Sequence, residues 1–384
     1  MKERKYSDQI NIENEQKLRA LVAELPRFCR EYFIGIEPST SSRTRIAYAY
    51  DLGVFFHYLH ENNAAMAKME IIDFPIDILE QITPMDIEEY LQYLKLYHHR
   101  GKEYTNDERG QMRKLACLRS FYNYFFRKEI IEKNPATLVK MPKQHEKNIV
   151  RLDVDEIAIL LDEAESGEKL TERQKIYHNK TKKRDVAILT LLLGTGIRVS
   201  ECVGLDLNDI DPKNNGIKVH RKGGSEVMVY FGDEVAEALD AYLDERLEME
   251  PKEGSTEAVF LSMQNKRINV RSVENLVKKY ALLAAPLKKR FSPHKLRSTF
   301  GTNLYHETGD IYLVADVLGH SDVNTTRKHY AAMSDDRRRM AAAHVKLRDD
   351  EATLTGLAAV QPESAESEAD DQVNQPAESP EATE

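Results

Sequence analysis

Along most of the chain, apolar residues return every three or four positions, the period of an amphipathic helix rather than the alternation of a strand. The stretch "SSRTRIAYAYDLGVFFHYLHENN" (41–63) carries this spacing behind a serine placed to cap a helix start. "TPMDIEEYLQYL" (83–94) predicts a second capped helix. In "GQMRKLACLRSFYNYFFRKEI" (110–130), Leu115, Leu118, Tyr122 and Phe125 fall on one stripe. Arg113, Arg119 and Arg127 project mostly elsewhere, which leaves basic residues available off the core face. The first part of the chain reads as wholly helical.

The pattern weakens over "NPATLVKMPKQHEKNIVRLDVDEI" (134–157), where two prolines and a charged stretch suit an exposed linker. Beyond it, "LLLGTGIRVSECVGLDLNDI" (191–210) predicts an apolar helix broken by Gly194 and Gly196, then a short helix. The period changes in "NGIKVHRKGGSEVMVYFG" (215–232), where β-branched residues flank Gly-Gly and predict a hairpin with Lys222 at or near its tip. Helical spacing resumes in "RSVENLVKKYALL" (271–283), "HKLRSTFGTNLYHET" (294–308) and "IYLVADVLGH" (311–320). "SDDRRRMAAAHVKL" (334–347) predicts one more helix, with Met340, Ala343 and Leu347 near one face. The fold class is thus mainly α with a small β-hairpin or sheet. Its divisions are a helical domain at 1–145, a second domain at 146–348 and a tail at 349–384.

Composition changes this picture in one respect. A length of 384 residues suits about two domains plus extras. The net charge of −9 argues against a nucleic-acid partner until its distribution is considered. Residues 349–384 hold eleven Asp and Glu and no Lys or Arg, so the remainder carries −9 + 11 = +2. Clusters such as "NKTKKR" (179–184), "LKKR" (287–290) and "DRRRM" (336–340) permit a polyanion partner, though solvated faces look the same. The tail, rich in Glu, Ser, Ala and Pro, is expected to be disordered, serving solubility or, as the sharper reading, competing with DNA for basic surfaces. Cys29, Cys117 and Cys202 are scattered and odd in number, so no disulfide framework is implied. No apolar run is long enough to span a bilayer and the start is not a signal peptide; a cytoplasmic protein without membrane contact is expected.

Chemistry is concentrated in the second half. Arg198 stands at the glycine break, with Glu201 three residues on to orient it; a surface salt bridge would look the same. In "PHKLR", His294 and Arg297 share a face at a helix start, where the helix terminus favours an anion. "GHSDVNTTRKHY" (319–330) adds His320, His329 and Tyr330. His320 and His329 could begin a zinc site, but no Cys or carboxylate completes the usual spacing, so no metal is expected. Arg198, Lys222, His294, Arg297, His320 and Tyr330 share instead a suitability for a phosphodiester: paired donors for phosphate oxygens, proton carriers and a hydroxyl.

The order Arg, Lys, His-x-x-Arg, Gly-His, Tyr resembles the tyrosine recombinases of the phage-integrase family, over residues 20 to 348. "KTKKRDVAILTLLLGTGIRVSECVGLDL", "VHRKGG" and "SPHKLRSTFGTNLY" are most similar to the single-protein Xer-type members that resolve chromosome dimers. The charged stretch 165–184, longer than in many relatives, fits the same subgroup. Two departures are visible: Ser298 stands where many members have a second histidine, and the acidic tail is additional.

The resemblance implies a two-domain DNA clamp, a helical core-binding domain with a catalytic domain, in which Tyr330 forms a 3′-phosphotyrosine and releases a 5′-hydroxyl. A tyrosine with pKa about 10 is roughly one part in a thousand ionised at pH 7, so a base must take its proton; His294 is the candidate. Lys222 would protonate the departing oxygen, and Arg198, Arg297 and His320 would stabilise the phosphate charge. Glu201 is assigned a supporting role and His329 a structural or DNA-facing one. Cations in place of a divalent metal and an energy-conserving phosphotyrosine mean that no cofactor is expected. Expected partners are a double-stranded DNA recombination site, three further copies in a homotetramer on two duplexes, and a DNA translocase. The competing readings are an integrase of a phage or conjugative element, a type IB topoisomerase, and a DNA-binding regulator that has lost catalysis.

Overall fold

The computed structural model describes residues 6–143, 145, 151–221, 224–288, 291–320, 322, 323 and 326. The tail, the helix expected after Tyr330, and Lys222, His329 and Tyr330 themselves lie outside these residues.

The first buried core is drawn from residues between Leu18 and Val139. It is built by α1 (Tyr6–Val22), α2 (Cys29–Gly35), α3 (Ser42–Asn62), α4 (Ile78–Gln81), α5 (Pro84–Tyr93), a small hairpin of β1 (Tyr97–His99) and β2 (Lys102–Tyr104), α6 (Glu108–Arg127) and α7 (Pro135–Leu138). Helix starts fall where the capping residues demand. The Ser41 side chain accepts from the Thr44 amide, and Thr83 and Asp86 form a reciprocal capping box ahead of Pro84. The α6 stripe is fully inward: Leu115, Leu118, Tyr122 and Phe125 are all buried. At roughly 1.5–3 kcal/mol for each large apolar side chain, that face decides the packing of the helix. Phe121 meets Phe125 and Tyr32 edge-on, with ring centres 5.1 and 5.0 Å apart.

Two of the three arginines expected to be available are engaged. Arg113 donates to buried Asp51 at 2.7 Å, and Arg119 donates to the carbonyls of Ala136 and Val139. Arg127 is exposed. The β1–β2 hairpin, turning at Arg100 and Gly101 with φ of 51° and 72°, was not expected from the sequence pattern.

The second core runs from Leu152 to Leu296. Its helices are α8 (Val154–Ser166), α9 (Glu172–His178), α10 (Lys182–Thr195) and α11 (Val199–Gly204), followed after the sheet by α12 (Asp233–Glu248), α13 (Val270–Ala284), α14 (Pro293–Thr308) and α15 (Ile311–Leu318). The expected hairpin is β4 (Gly216–His220) paired antiparallel with β5 (Glu226–Tyr230), and β3 (Ile210–Asp211) extends it to three strands. Helix α10 packs against α8, α12 and α14. The helix break expected at two glycines falls at one. Gly194 lies inside α10, where a Cβ would overlap Val235, while Gly196 ends the helix with φ +62°. No helix among the described residues is long and apolar enough to cross a membrane. All three cysteines are buried and free.

Candidate active site

The site forms where three helix ends meet. Helix α10 stops at Gly196, and the chain continues through Ile197 into Arg198, which is the N-cap of α11. The Arg198 amide and its Nη1 both donate to the Glu201 carboxylate, at 2.7 Å each. Glu201 therefore closes the first turn of α11 and holds the guanidinium with a single group. From there the Arg198 Nη2 reaches 3.5 Å from the Gly319 carbonyl, a long contact.

Pro293 starts α14 because its missing amide costs nothing in the first turn. His294 is exposed in that turn, whereas Arg297 passes inward and is 5 % exposed. The shared face expected of this pair thus divides by depth. The Arg297 Nη1 donates to the Gly196 carbonyl at 2.5 Å, and its Nη2 donates to the Leu318 carbonyl. One guanidinium so joins the C-terminal ends of α10 and α15, where the helix dipole is negative.

Helix α15 ends at Gly319 in the left-handed conformation, φ +61°. Its last carbonyls collect a further cation that was not singled out from the sequence. Arg221, beyond β4, donates to Val317 O at 2.8 Å and to Asp316 O at 3.3 Å. The carbonyls of Asp316, Val317, Leu318 and Gly319 are therefore each approached by one of three arginines. A carbonyl fixes a guanidinium without cancelling its charge. Glu201 offsets the charge of Arg198, while main-chain carbonyls receive donors of Arg221 and Arg297, so two guanidinium groups and His320 gather at one helix end. His320 is held from both sides: its amide donates to Ala315 O, and its Nδ1 lies 2.7 Å from the Oγ1 of fully buried Thr326.

The structure thus brings Arg198, Glu201, Arg297 and His320 to the end of α15, with His294 one turn before Arg297. Arg221 and Thr326 were the residues missed. Both stand within stretches the sequence marks out, "VHRKGG" and "GHSDVNTTRKHY", but their partners depend on the fold. A site of this kind, cationic and built from arginines with paired donors around a histidine, suits a phosphodiester anion.

Comparison with known proteins agrees. Residues 150–337 match the phage integrase family. The chain is 35% identical over 306 residues to tyrosine recombinase XerC of Caldanaerobacter subterraneus subsp. tengcongensis, covering 77% of this chain and 79% of that relative. It is 30% identical over 347 residues to tyrosine recombinase XerS of Streptococcus sanguinis, covering 84% of this chain and 96% of that protein. Its fold matches that of the XerH site-specific recombinase bound to a palindromic difH substrate, with TM-score 0.61 and 18% identity over 79% of this chain and 80% of that one. The chain belongs to the tyrosine recombinases. Within them it is a Xer-type enzyme, a site-specific recombinase.

Proposed function

We propose that the chain cuts and rejoins double-stranded DNA at a specific site through a 3′-phosphotyrosine on Tyr330, and that its task is the resolution of chromosome dimers. The observation that carries this reading is the convergence of Arg198, Arg221 and Arg297 on the end of α15, beside a histidine fixed by Thr326.

In this reading the Tyr330 oxygen attacks the scissile phosphorus as the bond to the 5′-oxygen breaks. The phenolic proton passes to His294, and Lys222 gives a proton to the departing oxygen. Arg198 and Arg297 take up the charge that grows on the non-bridging oxygens, and His320 adds a hydrogen bond. Losing either arginine removes about 3 kcal/mol or more of transition-state stabilisation, the scale of other preorganised donors. The guanidinium positions are set before DNA arrives, because carbonyls and Glu201 hold them. The residues 1–145 and 146–348 act as two domains that clamp a duplex, mostly through phosphates, which makes binding steeply salt-dependent. Four protomers assemble on two duplexes, the segment after Tyr330 docks on a neighbour, and a DNA translocase licenses the reaction in the cytoplasm.

The test is denaturing capture of the protein from its own cells with sequencing of attached DNA, comparing wild type with Tyr330→Phe. One chromosomal locus enriched with wild type alone is the expected result. Fragments at the ends of a mobile element would identify an integrase instead. The absence of any tyrosine-dependent adduct, repeated on a nicked duplex from which the cleaved fragment escapes, would overturn catalysis.

A further inference from the structure

Arg221 occupies a position that the chemistry above leaves unexplained. Its backbone belongs to the β4–β5 hairpin: the amide donates to Ser225 O at 2.8 Å and the carbonyl accepts from the Gly224 amide at 3.1 Å, closing the turn. Its side chain leaves the hairpin altogether and spends both Nη groups on Asp316 and Val317, 95 and 96 residues further along the chain. Room for it is made by a glycine. A Cβ built on Gly319 would overlap the Arg221 guanidinium, so the left-handed cap of α15 serves helix termination and arginine seating together. Three independent features, the turn closure, the fork on two carbonyls and the bare glycine, thus fix one contact between the hairpin and the helix end that leads into His320. Lys222 follows Arg221 directly in the sequence.

We propose that Arg221 is a positioning residue for DNA cleavage: it anchors the tip of the β4–β5 hairpin to the end of α15, and so holds Lys222 in register with the phosphate-binding arginines. This rests on the reading of the site as a tyrosine recombinase centre with Lys222 as proton donor. Both Arg221 Nη groups are committed to main-chain oxygens of one helix end, which suits an anchor for the hairpin. In this reading its effect passes through Lys222 and through the protonation of the leaving 5′-oxygen, which separates it from an arginine that meets the phosphate itself. An alkoxide leaves badly without a proton, whereas a thiolate, with a parent pKa of about 8.5 for an alkyl thiol such as cysteine, leaves unaided. Replacing the bridging 5′-oxygen by sulfur keeps the rest of the step: the Tyr330 oxygen bonds to phosphorus, the phosphorus–sulfur bond breaks, the sulfur departs with the electron pair, and the phenolic proton still goes to His294.

The experiment measures single-turnover cleavage of two nicked duplexes built on the captured target site, one with the ordinary phosphate and one with a 5′-bridging sulfur. Wild type, Arg221→Ala, Arg221→Lys, Lys222→Ala and Arg198→Ala are compared, with duplex affinity measured for each. Arg221→Ala is expected to bind DNA as wild type does and to cleave the ordinary substrate about 10- to 100-fold more slowly, up to the lower end of what a general acid contributes. On the sulfur substrate it should return to within about threefold of wild type, as should Lys222→Ala, while Arg198→Ala stays slow on both. Arg221→Lys, able to reach one carbonyl, should recover part of the ordinary rate. Cleavage by Arg221→Ala that is equally slow on both substrates, or unimpaired on the ordinary one, overturns the positioning role. If instead wild type yields no Tyr330-linked adduct on either duplex, or Lys222→Ala is not rescued by sulfur, it is the underlying assignment of the site that fails.

Discussion

The imidazole of His320 is tied to Thr326, with Nδ1 and Oγ1 2.7 Å apart and the threonine fully buried. Either ring tautomer can make this contact, and the proposed chemistry needs one of them. A neutral imidazole can offer a proton to a phosphate oxygen from Nε2 only if Nδ1 is the acceptor, so the Thr326 hydroxyl must donate. Thr326→Val keeps the shape and removes that donor from the half-buried His320 ring. The expected result is a loss of about tenfold in the cleavage rate on a nicked substrate, equivalent to about 1.4 kcal/mol, with Thr326→Ser close to wild type. Equal rates for valine and threonine would show that the bond does not orient His320 for the reaction.

Arg297 and Arg198 should respond differently to substitution by lysine. Arg297 joins two helix ends from a buried position, and an ammonium cannot serve both carbonyls in the fork geometry. Arg198 has a side chain 36% exposed and a single carboxylate partner. Arg297→Lys is therefore expected to lower stability by about 2 kcal/mol, and Arg198→Lys by less than about 1 kcal/mol, while both slow cleavage. Urea unfolding followed by circular dichroism, beside cleavage rates, separates the two effects. Equal stability losses would mean that the Arg297 bridge contributes little to the second core.

How much of this could be read beforehand follows from range. The α6 stripe, the capped helix in 83–94 and the hairpin around Gly224 are local patterns, and each stands in the structure where the residues predict it. Arg198, Glu201, Arg297 and His320 were visible through their order along the chain, which substitutes for spatial knowledge. Arg221 was not, because its partners lie 95 residues away and are main-chain carbonyls that any sequence would supply. The same reason hides the fate of Arg113 and Arg119. Spacing shows that they leave the apolar stripe, but not that Asp51 and the Ala136–Val139 turn receive them. The β1–β2 hairpin escaped because strands of three residues, drawn from "YHH" and "KEY", are too short and polar to show a period of two.

Gly196 and Gly254 allow the backbone and packing contributions at the helix break to be separated. Both have positive φ, +62° and +80°, so alanine is strained at either position. At Gly254 the space is open, but at Gly196 a Cβ would overlap Phe300 and crowd Leu318. Gly254→Ala is expected to cost about 1 kcal/mol from backbone strain alone. Gly196→Ala should cost about 3 kcal/mol or more, because core neighbours must also shift, and it should impair cleavage by displacing the carbonyl that receives Arg297. Thermal unfolding and cleavage rates of the two variants test this; a stable, active Gly196→Ala would show that the helix junction tolerates displacement.

His178 makes the stability of the second core depend on pH. It is buried, with Nδ1 3.1 Å from the Tyr280 hydroxyl, which itself donates to Asp185 Oδ2 at 3.3 Å. Because the tyrosine proton is directed to Asp185, Nδ1 is the donor in this arrangement, and Nε2 is left without a well-formed hydrogen bond. Burial, followed by the charge of Lys279 and more weakly that of Lys182, pulls the His178 pKa below its ordinary value; the Glu165 backbone and Asp185 oppose this without outweighing it. Between that lowered value and about 6.5, the unfolded chain binds a proton that the folded chain refuses. This contribution is therefore fully present above about pH 6.5 and is lost as pH falls through the window, at up to about 1.4 kcal/mol per pH unit. His178→Asn, which can still donate to Tyr280, should remove that slope even if it lowers stability throughout. Urea unfolding at a series of pH values from 7.5 down to about 5 measures it. If the curves of wild type and the His178→Asn variant run parallel across that range, the pH dependence arises from other groups and His178 is not held neutral by its surroundings.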